Sequence, residues 1–177
     1  MKKTITIIAL FTIFLIIYLL QANVFTWFTI AGVMPNLFVI LVLFISLYAG
    51  LKVGLPFSIV IGIFLDIIIG KKIGTSAIML AVIAIIGAYF DKSFSKESKL
   101  TIILMVAGAT AIYEIGVYVL QIIQLSIYIE PLVFGKILLI EILYNVILTI
   151  ILYPIMQKNG YRIENIFKGN QILTRYF

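Results

Sequence analysis

Six long apolar runs, at about 4–20, 35–51, 53–70, 73–90, 100–124 and 132–154, take up most of the chain and leave little between them. Crossing a hydrocarbon core of about 30 Å takes roughly 20 apolar residues in a helix, and each run is close to that length. Only helices and closed barrels satisfy every backbone polar group inside a membrane, so continuous runs of this kind read as helices. Of 177 residues, 64% are hydrophobic and 11% charged, against roughly a quarter charged in soluble domains. The expected fold class is therefore an all-α integral membrane protein. It is read as a six-transmembrane-helix bundle over 1–155, followed by a basic amphipathic cytoplasmic tail over 156–177. The second-to-third and third-to-fourth turns are very tight, which leaves five spans, or one pair dipping as a re-entrant hairpin, as the structural alternative.

Lys2 and Lys3 ahead of the first run resemble the start of a signal peptide. The run is longer than the usual apolar region of about 7–15 residues, and Leu20-Gln21-Ala22-Asn23 is a poor cleavage site, so it is read as a retained helix. With the N-terminus in the cytoplasm, ten basic residues fall inside: Lys2, Lys3, Lys52, Lys92, Lys96, Lys99, Lys158, Arg162, Lys168 and Arg175. Three, Lys71, Lys72 and Lys136, fall outside. The positive-inside rule thus favours both termini in the cytoplasm. Residues 21–34 carry no charge but include Phe25, Trp27 and Phe28, which reads as an aromatic outer segment at the interface. The tail mixes its basic residues with Tyr161, Ile166 and Phe167. It is expected on anionic lipids of the inner leaflet, at about 1 kcal/mol per cation.

The chain has no cysteine and no histidine, which removes disulfides, thiol nucleophiles, the usual zinc sites and imidazole acid–base chemistry. A net charge of +6 does not point to nucleic acid, because the basic residues are scattered at run ends without a continuous face. Asp91, the only aspartate besides Asp66, lies at a helix end, so a paired-aspartate protease does not fit. Nothing resembles a phosphate-cradling loop. The expectation is a protein that is not an enzyme and uses no cofactor.

Polar residues at membrane depth are few. Asp66 sits in Gly62-x3-Asp66-x3-Gly70-x3-Gly74, where four-residue spacing aligns small residues and one acid on a single helix face. A carboxylate at mid-helix costs about 2.5–3.5 kcal/mol on insertion scales and is tolerated when it faces protein or a wet cavity. Glu114 in the fifth run has Gly108 and Gly116 nearby. In the sixth, Glu141, Asn145 and Thr149 form one polar stripe. Each admits two readings: an ion path, ligand pocket or partner contact, or glue between helices with neutral carboxyls.

Taken in order, several patterns combine: Gln21 before an aromatic outer segment, Gly32-Val-Met-Pro35-Asn36-Leu37 opening the second run, the Gly62/Asp66/Gly70/Gly74 face ending the third, and Glu141-x2-Tyr144-Asn145 followed by Pro154. This order resembles the bacterial rod shape-determining MreD family over about residues 20–155. The resemblance implies a non-catalytic, multi-pass subunit of the bacterial cytoplasmic (inner) membrane in the cell-elongation complex, supporting cell shape and lateral peptidoglycan synthesis. It implies work beside a bitopic MreC-like protein and, indirectly, the MreB filament, RodA and penicillin-binding synthases. Pro35, Asn36, Gly62, Asp66 and Gly70 match the family pattern without an assigned contact. The alternative from another class is a substrate-binding membrane subunit of an energy-coupling-factor vitamin transporter. The first run lacks the Ala-x3-Ala coupling pattern of such subunits.

Overall fold

The computed structural model describes residues 1–69, 73–93, 96, 98–125 and 130–169. Among these the chain is helical: α1 Lys2–Leu19, continued by a π-helical turn Leu20–Val24, then α2 Leu37–Ala49, α3 Leu51–Ile69, α4 Thr75–Ser93, α5 Lys99–Leu125 and α6 Pro131–Lys168. The sole bridge of strand type among the described residues joins Ile30 and Val33 in the segment before α2.

Local chemistry sets several boundaries. Asn36 caps α2 by accepting from the Val39 N–H at 3.4 Å. Gly50 alone separates α2 from α3, with φ +79°, a conformation that glycine adopts without a Cβ penalty. Pro131 opens α6, where its missing N–H costs nothing. Pro154 does not end α6 as the run boundary at 154 had suggested; the helix continues to Lys168. Proline removes one internal hydrogen bond, and a helix supported by neighbours absorbs that loss.

The bundle is built around α2. All its residues except Phe44 are buried, as expected of a helix that is apolar all round. α3 and α4 form a hairpin against one side of it, and α5 and α6 pack against it and each other. α1 is peripheral: Leu10 and Phe14 are its buried residues. It is held by edge-on ring contacts, Phe11 with Phe57 at 5.1 Å and Phe14 with Phe64 at 5.4 Å.

Among the described residues, four helical segments are long and apolar enough to cross a membrane: Lys2–Val24, Leu51–Ile69, Lys99–Gln124 and Pro131–Lys168. Leu37–Ala49 and the apolar part of α4, Thr75–Asp91, are shorter. At 13 residues α2 is about 20 Å long, less than the hydrocarbon thickness expected for a full second span. The cause lies in its start. The Asn36 N–H donates to Asn145 Oδ1, and Asn145 lies 14 residues, about 21 Å, along α6 from Pro131. α2 therefore begins inside the bundle, and residues 25–36 fold over its start.

Candidate functional site

Asp66 is fully buried near the end of α3. Its carboxylate accepts from the backbone N–H of Gly74 at 2.8 Å, of Ser76 at 2.9 and 3.1 Å, and of Ala77 at 3.4 Å. These N–H groups belong to the first turn of α4 and the residue before it. They have no carbonyl partner within their own helix, and the helix dipole favours a negative charge beside them. Asp66 thus ties two consecutive helices together through backbone donors.

The glycine face has the same target. A Cβ at Gly62 would overlap the backbone of Ser76 and Ala77, so only glycine lets α3 come this close to α4. Gly74 is not on the α3 face that its spacing suggested: α3 ends at Ile69, and Gly74 turns the chain with φ +109° just before α4. Gly70 lies outside the described residues. Gly62, Asp66 and Gly74 are therefore brought together at the start of α4.

A second group surrounds the start of α2. Asn145, fully buried, accepts from the Asn36 N–H at 2.8 Å and donates from Nδ2 to Thr110 Oγ1 at 3.0 Å. The Asn36 side-chain amide donates to Glu114 Oε1 at 3.4 Å. From the π-helical turn, Gln21 Oε1 accepts from the Leu37 N–H at 3.2 Å. Two of the orphan donors at the head of α2 are thus satisfied by side chains from other elements. Pro35, buried just before them, has no N–H to satisfy.

Tyr113 joins the two groups. It is buried on α5, with the side chains of Ser76 and Asn36 both beside its hydroxyl. One polar network thus runs from the head of α4 to the head of α2 and on to Asn145 and Thr110. Thr149, also fully buried, donates to the Asn145 carbonyl at 2.7 Å. Glu141, one turn before Asn145, is buried on the same stripe.

The outer segment is fastened to this network while its aromatics stay outside. The Tyr144 hydroxyl donates to the Phe28 carbonyl at 2.6 Å, and the Phe25 ring meets the Tyr144 ring edge-on at 6.4 Å. Phe25 is half-buried, whereas Trp27 is 87% and Phe28 62% exposed.

At the other end of the bundle, Asp91, Lys96, Glu164 and Lys168 form a buried box of alternating charge. Lys96 pairs with Asp91 and with Glu164, the latter at 2.5 Å, and Lys168 pairs with Asp91 at 2.6 Å and Glu164 at 3.5 Å. Lys168 also donates to the Leu47 carbonyl at 3.1 Å, at the end of α2. The Lys96 ammonium stands 5.2 Å from the Tyr48 ring, a cation–π contact. The last turns of α6 are locked by this box over the α2–α3 junction.

Sequence reasoning singled out Asp66, Glu114, Asn145 and Asn36 but missed their connector, Tyr113. The spacing of Thr110, Tyr113 and Glu114, three and four residues apart, places all three on one face of α5 and was the available signal. It missed the box as well. Glu164 and Lys168 are four apart on a helix, but Asp91 and Lys96 are far away in sequence.

A family model described as rod shape-determining protein MreD matches residues 1–159. No curated protein and no solved structure matches the chain. The match contains the whole polar network, together with Asp91 and Lys96 of the box, and stops short of Glu164 and Lys168. With a match over most of its length, the chain belongs to the rod shape-determining protein MreD family, whose role is in rod shape determination.

Proposed function

We propose that the protein is a non-catalytic scaffold of the cell-elongation complex in the bacterial cytoplasmic membrane, spanning it six times with both termini inside. In this reading it holds a bitopic MreC-like protein, and through it supports lateral peptidoglycan synthesis beside the MreB filament, RodA and penicillin-binding synthases. The observation that carries the reading is the outer segment. Tyr144 holds its backbone at the Phe28 carbonyl, and its two ends are tied to the head of α2 through the Gln21 side chain on Leu37 and through Asn145 on Asn36, yet Trp27 and Phe28 project from it unburied. Pre-ordered backbone lowers the entropy cost of binding, and exposed aromatics supply the residue types enriched at interface cores. The polar network then serves as the support that holds this surface in shape.

The test is co-purification from native membranes of a rod-shaped host. Trp27→Ala combined with Phe28→Ala should lower recovery of the MreC-like partner without lowering the amount of inserted protein, and depletion of the protein should round the cells. Undiminished partner recovery from that variant would remove the outer segment from the interface. Normal rods after depletion would sink the scaffold reading.

A further inference from the structure

Past Tyr153, α6 becomes two-faced. Lys158, Asn159, Arg162 and Asn165 are exposed on one face, while Gly160, Ile163 and Glu164 are buried on the other. The buried face packs on Tyr48 and the charge box, which leaves the basic face turned to the surroundings. Asp91 and Glu164, the described acids at this end, are both buried and matched by Lys96 and Lys168. Internal pairing removes them from the surface. Among the described residues, the exposed charges here are all basic: Lys2, Lys3, Lys52, Lys99, Lys158 and Arg162.

Within this rim, the start of α1 and the last turns of α6 border an open hollow of about 530 Å³ lined by Met1, Lys2, Lys3, Asn165 and Ile166. The lining presents the ammonium groups of Lys2 and Lys3, the Met1 amino group and an amide, with no acid among these five residues. The neighbouring acid on α6, Glu164, is turned away into the charge box. From the hollow, α1 runs on as an apolar helix with Ile5 62% and Ile8 61% exposed.

We propose that this hollow binds the headgroup of an anionic phospholipid, with the phosphate between Lys2, Lys3 and Asn165 and the acyl chains along α1. Lysine serves as a point-charge partner for phosphate, and the Asn165 amide adds a directional donor. The apolar helix that continues from the hollow selects a lipid over free phosphate or an acidic peptide, because only the lipid has chains to lay against it. The proposal rests on the reading above in one respect: this end must face the anionic inner leaflet.

The experiment uses the full chain in nanodiscs made from equal amounts of phosphatidylglycerol and phosphatidylcholine, with lipid retained after detergent release measured by native mass spectrometry. Wild type should retain phosphatidylglycerol in preference to phosphatidylcholine by about thirtyfold, the ratio expected from two cations at about 1 kcal/mol each. Lys2→Gln with Lys3→Gln should abolish the preference. So should Asn165→Glu, which places an acid in the hollow and leaves the N-terminal lysines in place. Lys52→Gln, which removes a rim cation outside the hollow lining, should leave it unchanged. Equal retention of the two lipids, or equal loss in Lys52→Gln, would overturn the site in favour of diffuse charge. Displacement of the lipid by millimolar inorganic phosphate would overturn the lipid assignment. Labelling of a cysteine at Asn159 from outside the cell, with the lipid preference intact, would sink the topology while leaving the site standing.

Discussion

The Asp66 carboxylate and the Ser76 N–H lie 2.9 Å apart across the α3–α4 turn, so an acid in one helix caps the next. This gives a buried carboxylate in an apolar helix a structural task that needs neither a cation nor a proton path. Both of its oxygens are engaged by backbone donors, and such donors cannot be removed by side-chain substitution. The predictions at this site follow from counting acceptors.

Asp66→Asn retains one acceptor oxygen and loses the charge. It should destabilise the protein by about 1–2 kcal/mol, the range for a lost cap interaction. Asp66→Leu leaves the first N–H groups of α4 without an acceptor and should cost about 3 kcal/mol or more, since each buried unsatisfied group costs about 1–3. Gly62→Leu should be at least as harmful as Asp66→Asn, because its side chain has to displace the backbone of α4. Thermal unfolding in detergent measures all three. A milder effect from Asp66→Leu than from Asp66→Asn would contradict the capping role.

Tyr113→Phe removes one hydroxyl and nothing else. The Ser76 and Asn36 side chains lose the polar group that lies beside both, and a stability loss of about 1 kcal/mol is expected, the usual scale of one net hydrogen bond. The more specific readout is hydrogen exchange. Slowed exchange at the head of both α2 and α4 in the wild type should weaken together in Tyr113→Phe. Weakening at only one helix head would show that the two groups are separate.

The amino-acid pattern made part of this legible and hid the rest for identifiable reasons. Runs of spanning length gave the helices, because apolar length is a local property. Asp66 and Gly62 stood out because an acid and small residues on one face are rare in such runs. The partner of Asp66 did not, since backbone N–H groups carry no sequence signature. The shortness of α2 was hidden too. The apolar run from Leu37 carries no mark of depth, and only contact of Asn36 with Asn145, 109 residues away, shows that the helix begins inside the bundle. Pro154 suggested a helix end by a rule from soluble proteins, whereas packing against Tyr48 and the charge box carries α6 onward.

Orientation can be read with single cysteines, because the sequence has none of its own. Thr29→Cys is exposed in the outer segment, and Asn159→Cys is exposed on the last turns of α6. An impermeant maleimide should label the first in intact cells and the second only after the membrane is opened. Labelling of both from outside would mean an even number of crossings between them, against the five that the six-span reading requires.

The charge box makes the most stringent prediction, because a buried pair and its broken half differ so much in energy. Lys168→Met leaves Asp91 and Glu164 sharing Lys96 alone and removes the donor to the Leu47 carbonyl, and stripping one partner from a buried pair costs about 3–5 kcal/mol. Surface pairs give about 0–1 kcal/mol and fade with salt, whereas a buried box is screened far less. Wild-type melting should therefore change little between low salt and about 0.5 M salt, well beyond the concentrations that screen surface pairs. Gly160→Leu attacks the same junction sterically, since a Cβ there would sit 2.6 Å from the Tyr48 ring. Both variants should release the last turns of α6, read as new protease cleavage between Met156 and Lys168, while the helices nearer Asp66 keep their protection. Cleavage in wild type at the same rate would mean that the box does not hold the helix end.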